Sequence, residues 1–208
     1  MNIEGKVIHF LGDSITEGVG ATDASHCFVS LIGRKTGAVV HNYGVGGTRI
    51  ARQLNCPQDE GKDFCARFIE MEQGADMIIV FGGTNDYGHG NAPFGSFEDK
   101  TPDTFNGALN VLFSGLRKMF PHALILSLTP LPRKAKSVEA ERCLEDYANA
   151  IVSASAFYKI LCLDLYHMSS SDKQLRYLFT NCLPDGLHPN DEGHQILAET
   201  IIRFLERL

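Results

Sequence analysis

Val7-Ile8-His9-Phe10-Leu11 runs directly into Gly12-Asp13-Ser14-Ile15-Thr16-Glu17-Gly18. A short apolar run that ends in glycines and a capping residue reads as a buried strand handing over to a helix. The pattern recurs. Val39 to Tyr43, Met77 to Phe81 and Leu124 to Leu128 are further apolar runs, with a weaker fifth at Ile160 to Leu163. Continuous rather than alternating apolar character marks strands covered on both faces, and the intervening stretches are long enough for crossover helices. The fold class is therefore α/β with a parallel sheet. The helical spacing predicts helices over about Phe28 to Lys35, Phe64 to Gln73, Pro102 to Met119, Ser137 to Ala156 and Asn190 to Arg207. The last shows an apolar side of Ile196, Leu197, Thr200, Ile201, Phe204 and Leu205. Tyr87 to Lys100 and Leu131 to Lys136 read as irregular loops after strands. In an open parallel sheet such loops wall the ligand crevice.

A length of 208 residues suits one domain spanning the whole chain, and 44% hydrophobic with 21% charged residues is ordinary for a globular chain. The formal charge of -6 argues against a nucleic-acid partner, since the nearest thing to a concentrated basic face, Arg133, Lys134 and Lys136, is short. No apolar run approaches a bilayer span, so no membrane partner is expected. The start, Met1 to Lys6, lacks the features of a secretory signal, and the expected location is cytoplasmic. Six dispersed cysteines without a Cys-x-x-Cys pair predict reduced thiols and no zinc site.

Four motifs sit at the ends of these elements. Ser14 in Gly12 to Gly18 stands where backbone N–H groups of a helix entrance can face an anion, although a serine there also suits a simple cap. No Gly-Lys-Ser/Thr follows, so a phosphate loop is not indicated. Asn42-Tyr43-Gly44-Val45-Gly46-Gly47-Thr48 offers exposed N–H groups at Gly46 or Gly47, or an ordinary turn. Gly82-Gly83-Thr84-Asn85-Asp86 offers the Asn85 amide, or a turn. Asp185-Gly186-Leu187-His188-Pro189-Asn190 places an imidazole three residues after a carboxylate. A serine hydroxyl needs a base that works near neutral pH, and the base needs a carboxylate to fix its tautomer. His188 and His194 do not form a His-Glu-x-x-His metal pair. Taken together, the residues are those that acyl transfer requires. The Gly-x-Ser-x-Gly elbow of α/β-hydrolases is absent.

With these four motifs in this order, the chain resembles the SGNH/GDSL hydrolase family over nearly its whole length. The resemblance implies a flavodoxin-like three-layer α/β/α sandwich with a five-stranded parallel sheet and no cofactor. It assigns Ser14 as nucleophile, Asp185 and His188 as the remaining catalytic residues, and Ser14, Gly47 and Asn85 to an oxyanion hole. Ile15 replaces the usual leucine of the first motif, a volume-conserving swap. The expected function is a serine esterase acting on short-chain carboxylic esters through an acyl-enzyme, with a carbohydrate O-acetylesterase as its specific form. The expected partner is a small-molecule ester. An acyl-thioesterase or lysophospholipase of the same family, and a non-catalytic ligand-binding module on a flavodoxin-like frame, are the alternatives.

Overall fold

The computed structural model describes residues 1–134 and 142–208. The five expected strands are β1 (Val7–Gly12), β2 (Val39–Gly44), β3 (Met77–Phe81), β4 (Leu124–Leu128) and β5 (Leu161–Leu163), all parallel in the order β2-β1-β3-β4-β5. Nine α-helices are described: α1 (Ser14–Glu17), α2 (Phe28–Thr36), α3 (Phe64–Arg67), α4 (Thr84–His89), α5 (Phe105–Met119), α6 (Leu144–Phe157), α7 (Leu165–Met168), α8 (Lys173–Asn181) and α9 (Asp191–Glu206). This is the three-layer, flavodoxin-like arrangement. Its chain reverses direction across the sheet at β1, so the crevice opens beside the carboxyl ends of β1 and β3.

Alternate residues of each strand feed opposite cores. Ile8, Phe10, Ile79 and Leu126 pack under α2, α8 and α9, while Leu11, Ile78, Val80 and Ile125 pack under α3, α5 and α6. Burial of such side chains contributes about 1.5–3 kcal/mol each. β2 departs from the expectation of two covered faces. It is an edge strand, and Val39 and Asn42 are exposed along it.

Helix boundaries follow the caps. Thr104 accepts from the Gly107 N–H and starts α5 three residues after the expected Pro102. Asp63 caps α3, whose α-helical turns end at Arg67 and continue as one tighter turn to Glu70 instead of reaching Gln73. The expected helix start at Ser137 and the basic residue Lys136 lie outside the described residues. The stretch from Tyr87 does not begin as a loop, because Thr84–His89 is helical, and Lys173–Asn181 forms a helix that the apolar spacing did not reveal. Among the described residues no helix is long and apolar enough to cross a membrane, no His/Cys/Asp/Glu group suits a metal, and all six cysteines are free.

Candidate active site

Ser14 opens α1 one residue after Asp13, whose carboxylate caps the helix by accepting from the Ile15 N–H at 3.0 Å. Gly12 keeps the strand end close to α1, since a Cβ there would lie 2.0 Å from Thr16 Oγ1. The other end of the chain supplies the base. Gly186, at φ +81°, turns the backbone so that Asp185 Oδ1 accepts from the N–H groups of Leu187 and His188 at 2.9 and 2.8 Å. The second carboxylate oxygen meets His188 Nδ1 at 2.6 Å, and His188 Nε2 meets Ser14 Oγ at 2.9 Å. With Nδ1–H donating to the carboxylate, Nε2 presents its lone pair to the hydroxyl. Partial burial opposes ionisation of Asp185, but the His188 ring and the two backbone N–H groups outweigh it and hold the carboxyl at about 2. Asn190 then caps α9, and the His188 turn is tied to the β4–α6 connection by Lys134 N–H donating to Gly186 O at 2.9 Å.

The glycine loop after β2 comes back over Ser14. Val45 N–H donates to Gly12 O at 3.1 Å, and a Cβ on Gly46 would stand 3.9 Å from the Ser14 Cβ. Gly47 adopts φ +74°, and neither its N–H nor that of Ser14 meets an acceptor among the described residues. Asn85 enters from the N-terminus of α4, fully buried, with Nδ2 donating to Thr48 O at 2.9 Å. The structure thus brings Ser14, Asp185 and His188 into one hydrogen-bonded line and joins Asn85 to the residue after Gly47.

Sequence reasoning did not find several supporting residues. Asp86 accepts from the Ile50 and Ala51 N–H groups at 3.0 and 2.9 Å, pinning the glycine loop to α4. Arg67 donates to Tyr43 O, Gly12 O, Thr48 Oγ1 and Lys62 O, clamping the ends of β1 and β2. Three of these four partners are backbone carbonyls, so no sequence motif announces it. The expected wall residues of 87–100 divide: Phe94 and Phe97 turn inward, Phe94 stacking on Phe105 at 5.9 Å and Phe97 meeting Phe157 at 5.0 Å. His89 instead lines a cavity of about 230 Å³ together with Gly47, Thr48, Arg49, Gln53 and Asp59. A second cavity of about 580 Å³ adjoins it through Gln53 and Asp63.

A hydroxyl, an imidazole and a carboxylate in line at the carboxyl end of a β2-β1-β3-β4-β5 parallel sheet define a hydrolase-type α/β frame. Residues 10–196 match the GDSL-like lipase/acylhydrolase family, and the chain belongs to that family. Among solved structures, a protein from Lactobacillus plantarum is 27% identical with a TM-score of 0.83, covering 99% of this chain and 98% of its own. A possible lipase from Chitinophaga pinensis is 20% identical with a TM-score of 0.72, covering 97% and 98%. An acetylxylan esterase from Geobacillus stearothermophilus, in the form of a catalytic mutant, shares the fold at 19% identity and a TM-score of 0.65, covering 98% and 95%. No curated protein matches the chain.

Proposed function

We propose that the protein is a serine esterase that cleaves short-chain carboxylic esters through an acyl-enzyme, with acetyl esters of sugars as its substrate class. The observation that carries this reading is the line from Ser14 Oγ through His188 to Asp185, at 2.9 and 2.6 Å. Ser14 Oγ attacks the ester carbonyl carbon while its proton passes to His188 Nε2. Asp185 stabilises the imidazolium. The negative charge on the former carbonyl oxygen is met by the N–H groups of Ser14 and Gly47 and by the remaining N–H of the Asn85 amide. When the C–O bond to the alcohol breaks, His188 returns the proton to the departing oxygen. Water then attacks the acyl-enzyme with His188 again as base, and the carboxylic acid leaves with Ser14 restored.

The cavity beside Gly46 and Gly47 supports a polar alcohol, since Arg49, Gln53, Asp59 and Lys62 line it; the adjoining one mixes Arg52, Asn55 and Glu60 with Cys56, Pro57 and Ala66. A long acyl chain needs an apolar groove instead, which makes the lysophospholipase alternative the weaker one. The fold shared with an acetylxylan esterase agrees with the same substrate class.

The test is a panel of aryl esters of increasing acyl length, acetylated sugars and an acyl-thioester, with Ser14→Ala as the blank. Acetyl esters should turn over fastest, an organophosphonate should label Ser14, and Ser14→Ala should lose both properties. A Ser14→Ala protein that keeps most of its turnover on an aryl acetate overturns the nucleophile assignment. Tight binding of a ligand without turnover or labelling points to a binding module.

A further inference from the structure

We infer that His89 is a positioning residue that holds the Asn85 carboxamide with one N–H free for the oxyanion. This inference rests on the reading of Asn85 as an oxyanion donor. A carboxamide has two N–H donors and one acceptor oxygen. In Asn85, Nδ2 gives one N–H to Thr48 O at 2.9 Å, and Oδ1 lies 3.0 Å from His89 Nε2. One donor is left. Asn85 and His89 stand four residues apart on α4, so they share one side of that helix.

The direction of the contact is set from outside. Arg49 Nη2 points at His89 Nδ1 and also donates to the His89 carbonyl at 3.2 Å. A guanidinium only donates, so Nδ1 is the acceptor and the ring proton sits on Nε2, facing Asn85 Oδ1. Arg49 in turn is held by Asp59 at 2.8 Å. Burial, with Arg49 and then Arg133, lowers the pKa of His89, which keeps the ring in the neutral form that this arrangement uses. The chain Asp59–Arg49–His89–Asn85 therefore fixes both ends of the amide, with Thr48 on one and His89 on the other. Held by Thr48 alone, the amide could swing about its last torsion, and a donor displaced by about 1 Å loses much of its effect on the transition state.

Two polar replacements separate positioning from simple bracing. In His89→Gln the amide nitrogen reaches the place of Nε2 and keeps the bond to Asn85. In His89→Asn the side chain reaches only as far as Nδ1, so it still offers an acceptor to Arg49 but falls short of Asn85. On an aryl acetate, His89→Gln should stay within about 3-fold of the parent in kcat, whereas His89→Asn should lose about 10-fold in kcat with KM little changed. In an Asn85→Ala background, itself down about 10²–10³-fold, His89→Asn should add nothing further. Equal kcat for the two His89 variants, whatever their melting temperatures, overturns the inference. So does a His89→Asn loss that persists undiminished in the Asn85→Ala background. Full turnover by Asn85→Ala itself is a different result, which removes the oxyanion reading and the positioning role along with it.

Discussion

At the scale of single residues, two glycines make contrasting demands. Gly20 has φ +97°, and a Cβ on it would lie 2.2 Å from the Pro189 carbonyl oxygen and 3.2 Å from the His188 Cβ. The chain leaving α1 thus packs backbone to backbone against the turn that carries the imidazole. An alanine at this position must push Pro189 away, and His188 moves with it. Gly20→Ala should therefore lower kcat/KM on an aryl acetate by about 10-fold or more, because general-base geometry tolerates little displacement. Urea denaturation should show a loss of about 2–4 kcal/mol, because left-handed strain and the clash add. Gly47 also has a positive φ, +74°, but nothing lies within 4 Å of its missing Cβ. Gly47→Ala should cost only the strain of a left-handed alanine, about 1–2 kcal/mol, with the urea transition still cooperative. If the two variants lost equal stability, steric contact at Gly20 would not be the deciding term.

Between elements, Arg67 does what no helix or strand does by itself. Nη1 donates to Tyr43 O at 2.8 Å and Nη2 to Gly12 O at 2.9 Å, so one side chain joins the carboxyl ends of β1 and β2 directly below Ser14 and the glycine loop. Burial lowers its pKa, with Asp13 and Asp63 opposing. Arg67→Met removes the donor to Tyr43 O and leaves Gly12 O with the Val45 N–H alone, and should cost about 2–4 kcal/mol in urea denaturation. Arg67→Lys should recover little, since an ammonium cannot span the fork of acceptors. A lysine variant as stable as the parent would show that charge alone is needed. The same element scale explains what could be read from the chain. Strands such as Ile78-Ile79-Val80 are legible because both faces are covered, and the four motifs are legible because acyl transfer restricts residue type. α4 was not, since Thr84-Asn85-Asp86-Tyr87-Gly88-His89 has the composition of a turn and becomes helical through tertiary anchors, Asp86 on the glycine loop and Tyr87 in the core. In α8 only Leu175 and Leu178 are buried, too few to give a period. Arg67 acquires its role mainly from the Tyr43 and Gly12 carbonyls, 24 and 55 residues away, and His89 from a guanidinium on another loop. Neither relation leaves a local pattern.

For the molecule as a whole, the interior sets two opposing responses to pH. Burial raises Asp13 to about 7 and Asp86 to about 6, despite the N–H groups of Ile15 for the first and of Ala51 and Ile50 for the second. The usual carboxylate value is near 4. Between about pH 4 and 7 the folded chain therefore binds protons at these sites that the unfolded chain has released, and stability from them declines as pH rises through that window. Histidines act the other way. His194 is fully buried, stacked on Phe28 at 6.1 Å, and burial lowers its pKa; buried His9 is lowered by burial and by His41. Their contribution is complete above the usual histidine value near 6.5 and is lost as pH falls below it. The two responses offset each other in the parent protein, so variants are needed to separate them. In Asp13→Asn the side-chain oxygen still accepts from the Ile15 N–H, but the group no longer ionises. Relative to the parent, this variant should gain stability by at most about 1.4 kcal/mol per pH unit as pH rises from about 4 to 7, and the difference should level off by pH 8. Urea midpoints at pH 5, 6, 7 and 8 measure it directly. A difference that stays constant over that range would mean that Asp13 is ionised throughout, with Arg67 outweighing burial and the nearby Asp86.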